Sequence, residues 1–198
     1  MLKVYEVLIE TLNAHSGVNA ISLVDKPAID SNWIALAKQT KFEFKEIDGH
    51  KHILMGAALI PNKPIYRSME GNEFYIMFSK DTIRLASELF FKEGKQSETT
   101  EQHEVTLKGN TVVESWIKED MEKDKSAIYG LSDPVGTWMI SMKIEDKKTY
   151  EKAKNGELNG FSIEGYFNPQ IREELSKFTK QKTPAEKIEA IKELLEDV

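Results

Sequence analysis

Ser162 stands in the run NGELNGFSIEGYFNP (155–169), between Phe161 and Ile163, with glycines at 160 and 165 and Glu164 two positions on. Side chains alternate along an extended strand, so Ser162 and Glu164 emerge on one face. A hydroxyl beside a carboxylate on an otherwise apolar strand is either a solvent-facing polar stripe or part of a nucleophilic site. A serine hydroxyl is a weak nucleophile until a positioned base takes its proton. Histidine is the natural base near neutral pH. GFSIEG is not the G-x-S-x-G elbow of the α/β-hydrolases, and no helix follows the serine as that elbow requires. A nucleophile here would sit on a strand.

Four histidines are available as the base: His15, His50, His52 and His103. His15 lies in an irregular segment near the start. His50 and His52 flank Lys51 at a strand start and share a face. Such a pair could hold a metal and support a metal-dependent hydrolase, but no third ligand stands nearby, and a plain surface pair is the commoner meaning. His103 lies in the polar stretch KQSETTEQHE (95–104), read as a loop, just ahead of the strand TVVESWI (111–117). That strand carries Glu114, and a carboxylate beside a histidine can fix its tautomer and stabilise the imidazolium. By residue type alone a solvated loop histidine is the commoner reading, and Ser162 fares no better.

The elements that must position these groups belong to a chain of 198 residues, which suits one domain with appendages. With 40% hydrophobic and 30% charged residues, the chain can bury a core and hold a site on a rigid sheet. A net charge of −6 leaves no basic stripe to neutralise phosphates, which argues against a nucleic-acid partner. The absence of cysteine removes thiol catalysis, thiolate metal sites and disulfides, and fits a reducing compartment. No apolar run resembles a signal peptide or approaches the roughly 18 residues of a membrane span, so a soluble, intracellular protein is expected with no membrane partner.

VYEVLIE (4–10) alternates like a strand, and HSGVNAISLVDKPAIDSN reads as an irregular segment lying against the body. WIALA, FEFKEID and HILMGAALI are short strand candidates. Residues 72–79 form a strand apolar on both faces, hence central. At Ser79 the period becomes helical through Ile83, Ala86, Leu89 and Phe90, with Ser79 as cap and Gly94 as terminator. After TVVESWI come a charged excursion, KEDMEKDKSAIYG, and the alternating strand TWMISMKI (137–144). A short helix, DKKTYEKAKNG, then delivers the chain into GFSIEGYF. This order predicts a β-rich α+β core. Beyond Pro169 the chain turns charged and helical, with Thr183, Pro184 and Glu186 forming a capping signal.

HILMGAALIPNKPIYR, EFYIMFSKDTIRLASELFFKEG, a polar loop with one histidine, VVESWI, GTWMISMKI and GELNGFSIEGYF, taken in order, resemble the XkdF-type phage serine proteases. These are grouped with the tailed-phage prohead maturation proteases, whose fold is similar to that of the herpesvirus assemblins. AISLVDKPAI (20–29) resembles the opening segment of the same group, so the resemblance spans residues 17–168.

The resemblance implies a mainly antiparallel sheet or barrel core with a few packed helices. It implies a protease domain over 1–168, with residues 1–40 as a strand and irregular segment packed on it, and a helical tail over 169–198. The family's serine falls on Ser162 and its histidine on His103. Its acid falls on Glu114, with Glu164 as the rival third member. Glu104 follows the histidine where the family often has aspartate. The implied activity is a serine endopeptidase of capsid maturation, needing no cofactor or metal. It would act in the host cytoplasm inside the assembling prohead, on the scaffold protein, the major capsid protein and itself, with a homo-oligomer as a further expected assembly. The alternative is a non-catalytic capsid or scaffold interaction module with the same fold.

Overall fold

The computed structural model describes residues 3–9, 16–25, 45–48, 51–69 and 72–171. In chain order these form β1 (Lys3–Leu8), β2 (Gly17–Val24), β3 (Lys45–Asp48), β4 (Ile53–Leu59), β5 (Ile65–Met69), β6 (Asn72–Met77), α1 (Lys80–Lys92), β7 (Thr99–Glu101) and β8 (Val105–Leu107). There follow β9 (Asn110–Ile117), α2 (Lys125–Ile128), β10 (Trp138–Ile144), α3 (Lys147–Lys154), β11 (Gly160–Tyr166) and β12 (Asn168–Ile171). The strands pair into three sheets, ordered β12-β1-β6-β5, β3-β4-β10-β9 and β11-β2-β7-β8. Only the pairs β1–β6 and β2–β7 are parallel among the described residues. The architecture is β-rich α+β and mainly antiparallel, as expected. The observed pairings close no barrel among the described residues.

β10 is the spine of the core. Trp138, Met139, Ile140, Met142 and Ile144 on it are all fully buried. Its alternation serves two clusters. Trp138, Ile140 and Met142 join Ile21, Leu23, Phe78, Phe90 and Phe161 on one side, while Met139 joins Met55, Ala57, Ile60 and Leu131 on the other. Full burial of one such side chain is worth about 1.5–3 kcal/mol, so a strand buried on both faces anchors its neighbours. Leu131, which directly follows the charged excursion after β9, belongs to the second cluster. Lys118 within that excursion is itself fully buried, and its Nζ donates to the Leu131 carbonyl at 3.2 Å.

The helix α1 starts where the sequence signals it. The Ser79 side chain accepts from the Thr82 N–H at 3.3 Å, and Gly94 leaves the helix with φ of 71°. Its apolar stripe, Ile83, Ala86 and Phe90, is buried, and Phe90 meets the Trp138 ring edge-on at 5.5 Å. The helix α3 is capped by Asp146, whose carboxylate accepts from the Thr149 N–H at 2.7 Å.

Two segments differ from their sequence reading. The stretch around 17–24 is a strand, β2, with Ile21 and Leu23 in the core. The polar run 95–104 is not a loop but a short 3₁₀ turn followed by the β7–β8 hairpin. β2 is hidden by the turn residues around it, and β7 and β8 by their length: each has three residues, and β7 is a strand through its pairing with β2 on one side and β8 on the other. At the far end, β12 pairs with β1 and carries sheet structure past residue 168 to Ile171. WIALA and the predicted tail helix lie outside the described residues. No helix among the described residues is long and apolar enough to cross a membrane.

Candidate active site

The sheet β11-β2-β7-β8 has one apolar face and one polar face. Phe161 on β11 and Ile21 and Leu23 on β2 point to the core. The residues between them point the other way. Ser162 is directly opposite Ser22, and Ser22 is directly opposite Thr100, so three hydroxyl residues form one row across β11, β2 and β7. Ser162 is 4% exposed and Ser22 is fully buried. Among the described residues the Ser162 hydroxyl makes no hydrogen bond, whereas its neighbours in the row are engaged.

His103 enters this face from the β7–β8 turn. Gln102 and His103 both adopt left-handed backbone conformations, with φ of 54° and 61°. For residues other than glycine that conformation costs about 1–2 kcal/mol each. Three consecutive backbone donors offset it. The Gln102 N–H donates to the Leu23 carbonyl at 3.0 Å, the His103 N–H to Ser22 Oγ at 3.0 Å, and the Glu104 N–H to the Glu101 carbonyl at 3.0 Å. Each such bond contributes roughly 0.5–1.5 kcal/mol, enough together to hold a turn that residue types alone disfavour.

Held this way, His103 Nδ1 lies 3.2 Å from Oε1 of Glu164. Oε1 of Glu164 also accepts from the Thr100 hydroxyl. The imidazole and the carboxylate are both partly exposed, at 39% and 29% of their side-chain surface. A hydrogen carried on Nδ1 would face the carboxylate and leave Nε2 with its lone pair free, which is the tautomer a general base needs. A bulge between Glu164 and Gly165 sets the aim of Glu164. Gly165 is required there, because a Cβ on it would fall 2.0 Å from the Gly17 carbonyl oxygen.

Glu114 sits elsewhere. It lies on β9, in the sheet β3-β4-β10-β9, and both carboxylate oxygens accept from Lys125 Nζ at 2.6 Å. The Lys125 ammonium holds the Glu114 carboxyl below the usual carboxylate range. The structure thus brings together His103 and Glu164 on the Ser162 face, and gives Glu114 to a lysine. Glu104, next to the histidine, is exposed and touches this face only through its backbone.

Of the remaining histidines, His52 stacks on Tyr150 with ring centroids 4.1 Å apart, while His15 and His50 lie outside the described residues. Among the described residues no three histidine or carboxylate groups cluster with metal-holding geometry.

Sequence reasoning missed Ser22 and Thr100. Ser22 had a readable signal, since AISLV places a serine between large apolar residues just as GFSIE does. Thr100, in an unbroken polar run, had none.

Behind β11, a cavity of about 420 Å³ opens between that strand and the sheet containing β1, β5 and β6. Phe74, Ile76, Phe78, Phe161 and Ile163 line it, Ser162 contributes to its wall, and Arg67 is the one charged residue that lines it among the described residues. Burial pushes the Arg67 guanidinium down from its ordinary value, and one of its N–H groups donates to the Tyr66 carbonyl at 2.8 Å.

A strand-borne serine beside a histidine–carboxylate pair is the constellation of a serine hydrolase. The family model described as "Putative phage serine protease XkdF" matches residues 41–170, well over half of the chain. The protein belongs to that family of phage serine proteases. No curated protein matches the chain, and no solved structure does.

Proposed function

We propose that the protein is the serine endopeptidase of capsid maturation, with Ser162 as nucleophile, His103 as general base and Glu164 as the acid that orients the base. Nε2 of His103 takes the Ser162 proton as the oxygen attacks a peptide carbonyl, and later returns it to the leaving amine. Glu164 holds the Nδ1 hydrogen and offsets the charge of the imidazolium. The observation that carries this reading is the 3.2 Å contact between His103 Nδ1 and Glu164 Oε1 on the face that Ser162 shares. Catalytic hydrogen bonds are often incomplete before substrate arrives, so the Ser162–His103 contact is assigned to the substrate complex. That delay suits an enzyme confined to the prohead, where scaffold protein, major capsid protein and its own copies are the substrates at hand.

The test is co-expression with scaffold and capsid proteins, comparing the wild type with Ser162→Ala and His103→Ala. Either substitution should abolish processing, with a rate loss on the order of 10⁴-fold or more. Full processing by both variants would overturn the protease reading and favour a non-catalytic module of the same fold.

A further inference from the structure

We infer that Ser22 is a positioning residue of the site: its buried hydroxyl clamps the backbone of His103 and so sets the imidazole against Glu164. The inference rests on the protease reading above. Ser22 belongs to β2, far from His103 in sequence, and lies directly across from Ser162. Its Oγ accepts the His103 N–H at 3.0 Å and turns its own hydrogen toward the Thr100 carbonyl at 3.5 Å. Both directions of the hydroxyl are therefore spent on the strand and turn that deliver the base.

The turn needs such a clamp. His103 holds a left-handed conformation without being glycine, so losing the acceptor both orphans a backbone N–H and frees the residue to relax. A relaxed turn moves the imidazole as a unit with its backbone. The flanking clamps act on other residues: Gln102 is tied to the Leu23 carbonyl, and Glu101 is tied to Lys152 on α3. Ser22 alone, among the described residues, reaches the backbone of His103 itself from another strand. Its position also explains why a serine is tolerated at a fully buried site, where valine or alanine would satisfy packing.

The experiment compares Ser22→Ala and Ser22→Thr with the wild type in the full chain by two measurements. The first is amide hydrogen exchange, resolved by NMR at His103 and Gln102. Ser22→Ala should speed exchange at His103 by at least about tenfold and leave Gln102 protected, and Ser22→Thr, which keeps the oxygen, should restore His103. Unchanged exchange at His103 overturns the inference. So does equal loss at Gln102, which would mean that the hydroxyl merely supports β2–β7 pairing.

The second measurement is the labelling rate of Ser162 by a fluorophosphonate, which reads activation of the nucleophile without a known peptide substrate. Ser22→Ala should slow it by roughly 10–100-fold with little change in probe affinity, and should add nothing on a His103→Ala background. Further slowing on that background overturns the role through His103. If wild-type and His103→Ala chains label equally, the protease reading fails, and the exchange measurement still decides the clamp. Should Ser22→Ala not fold, Ser22→Cys replaces it, since sulfur accepts a backbone hydrogen bond weakly.

Discussion

Glu114 and Glu164 are both strand carboxylates near a serine, yet their surroundings send them to different work. Glu114 faces a lysine ammonium that satisfies both of its oxygens, with 43% of its side chain exposed. Glu164 faces an imidazole and a threonine hydroxyl, both of which converge on a single oxygen. A carboxylate neutralised by a permanent cation has nothing left to offer a histidine. One that faces an imidazole and a hydroxyl keeps its charge available for the imidazolium formed during a reaction. The choice of partner, rather than position in the sequence, separates a surface ion pair from a candidate catalytic acid.

The sharpest way to break that comparison is to neutralise each carboxylate in turn. Glu164→Gln should lower the labelling or processing rate by roughly 10²–10⁴-fold, as expected when the third member of such a site can no longer hold the tautomer. Glu114→Gln should leave the rate within about threefold of wild type, since a side chain outside the reacting constellation changes little. A reversed ranking in the same assay would return the acid role to Glu114.

Thr100→Val removes one donor to Glu164 while keeping the shape of the side chain. A hydrogen bond to a charged group contributes about 1.5–3 kcal/mol, so a rate loss of about 10–100-fold is expected. An undiminished rate would show that the imidazole alone fixes the carboxylate. Gly165→Ala tests the bulge that aims Glu164. Its new Cβ meets backbone, which yields poorly, so a melting temperature lower by about 3–10 °C is expected by calorimetry.

The smallest effect belongs to the Glu114–Lys125 pair. The folded pKa of Glu114 is lowered, so the pair adds stability above the ordinary glutamate value and loses it as pH falls through the lowered one. Lys125→Met should therefore cost roughly 1–3 °C at neutral pH, in keeping with an exposed ion pair. At pH low enough to protonate Glu114 in both states, the two proteins should melt together. A difference that persists there would belong to the Lys125 ammonium over the Trp116 ring, 5.9 Å from its centroid, and not to the carboxylate.

Much of the scaffold was legible before any coordinates. The helix α1 announces itself by Ser79, a 3.6-residue stripe and Gly94. The strands β9 and β10 announce themselves by dense alternating apolar residues. These signals are local: caps, periodicity and burial are written within about ten neighbouring positions. The strand β2 was harder, because turn residues surround it. The pair β7–β8 was harder still, since strands of three residues are too short to show a periodicity. So short a strand as β7 is held by the long β2 beside it.

The same division holds at the site. The residue types alone marked Ser162 and Glu164 as sharing one strand face, and marked His103 as a histidine in polar surroundings. They could not say that a parallel pairing of β2 with β7 would carry His103 to that face, nor that Lys125 would claim Glu114. Side-chain alternation is a property of one strand, whereas convergence of residues 22, 100, 103 and 162–164 depends on register between strands remote in the chain. Register is set by which hydrophobic faces can be buried together, and that is decided only when the whole core is assembled.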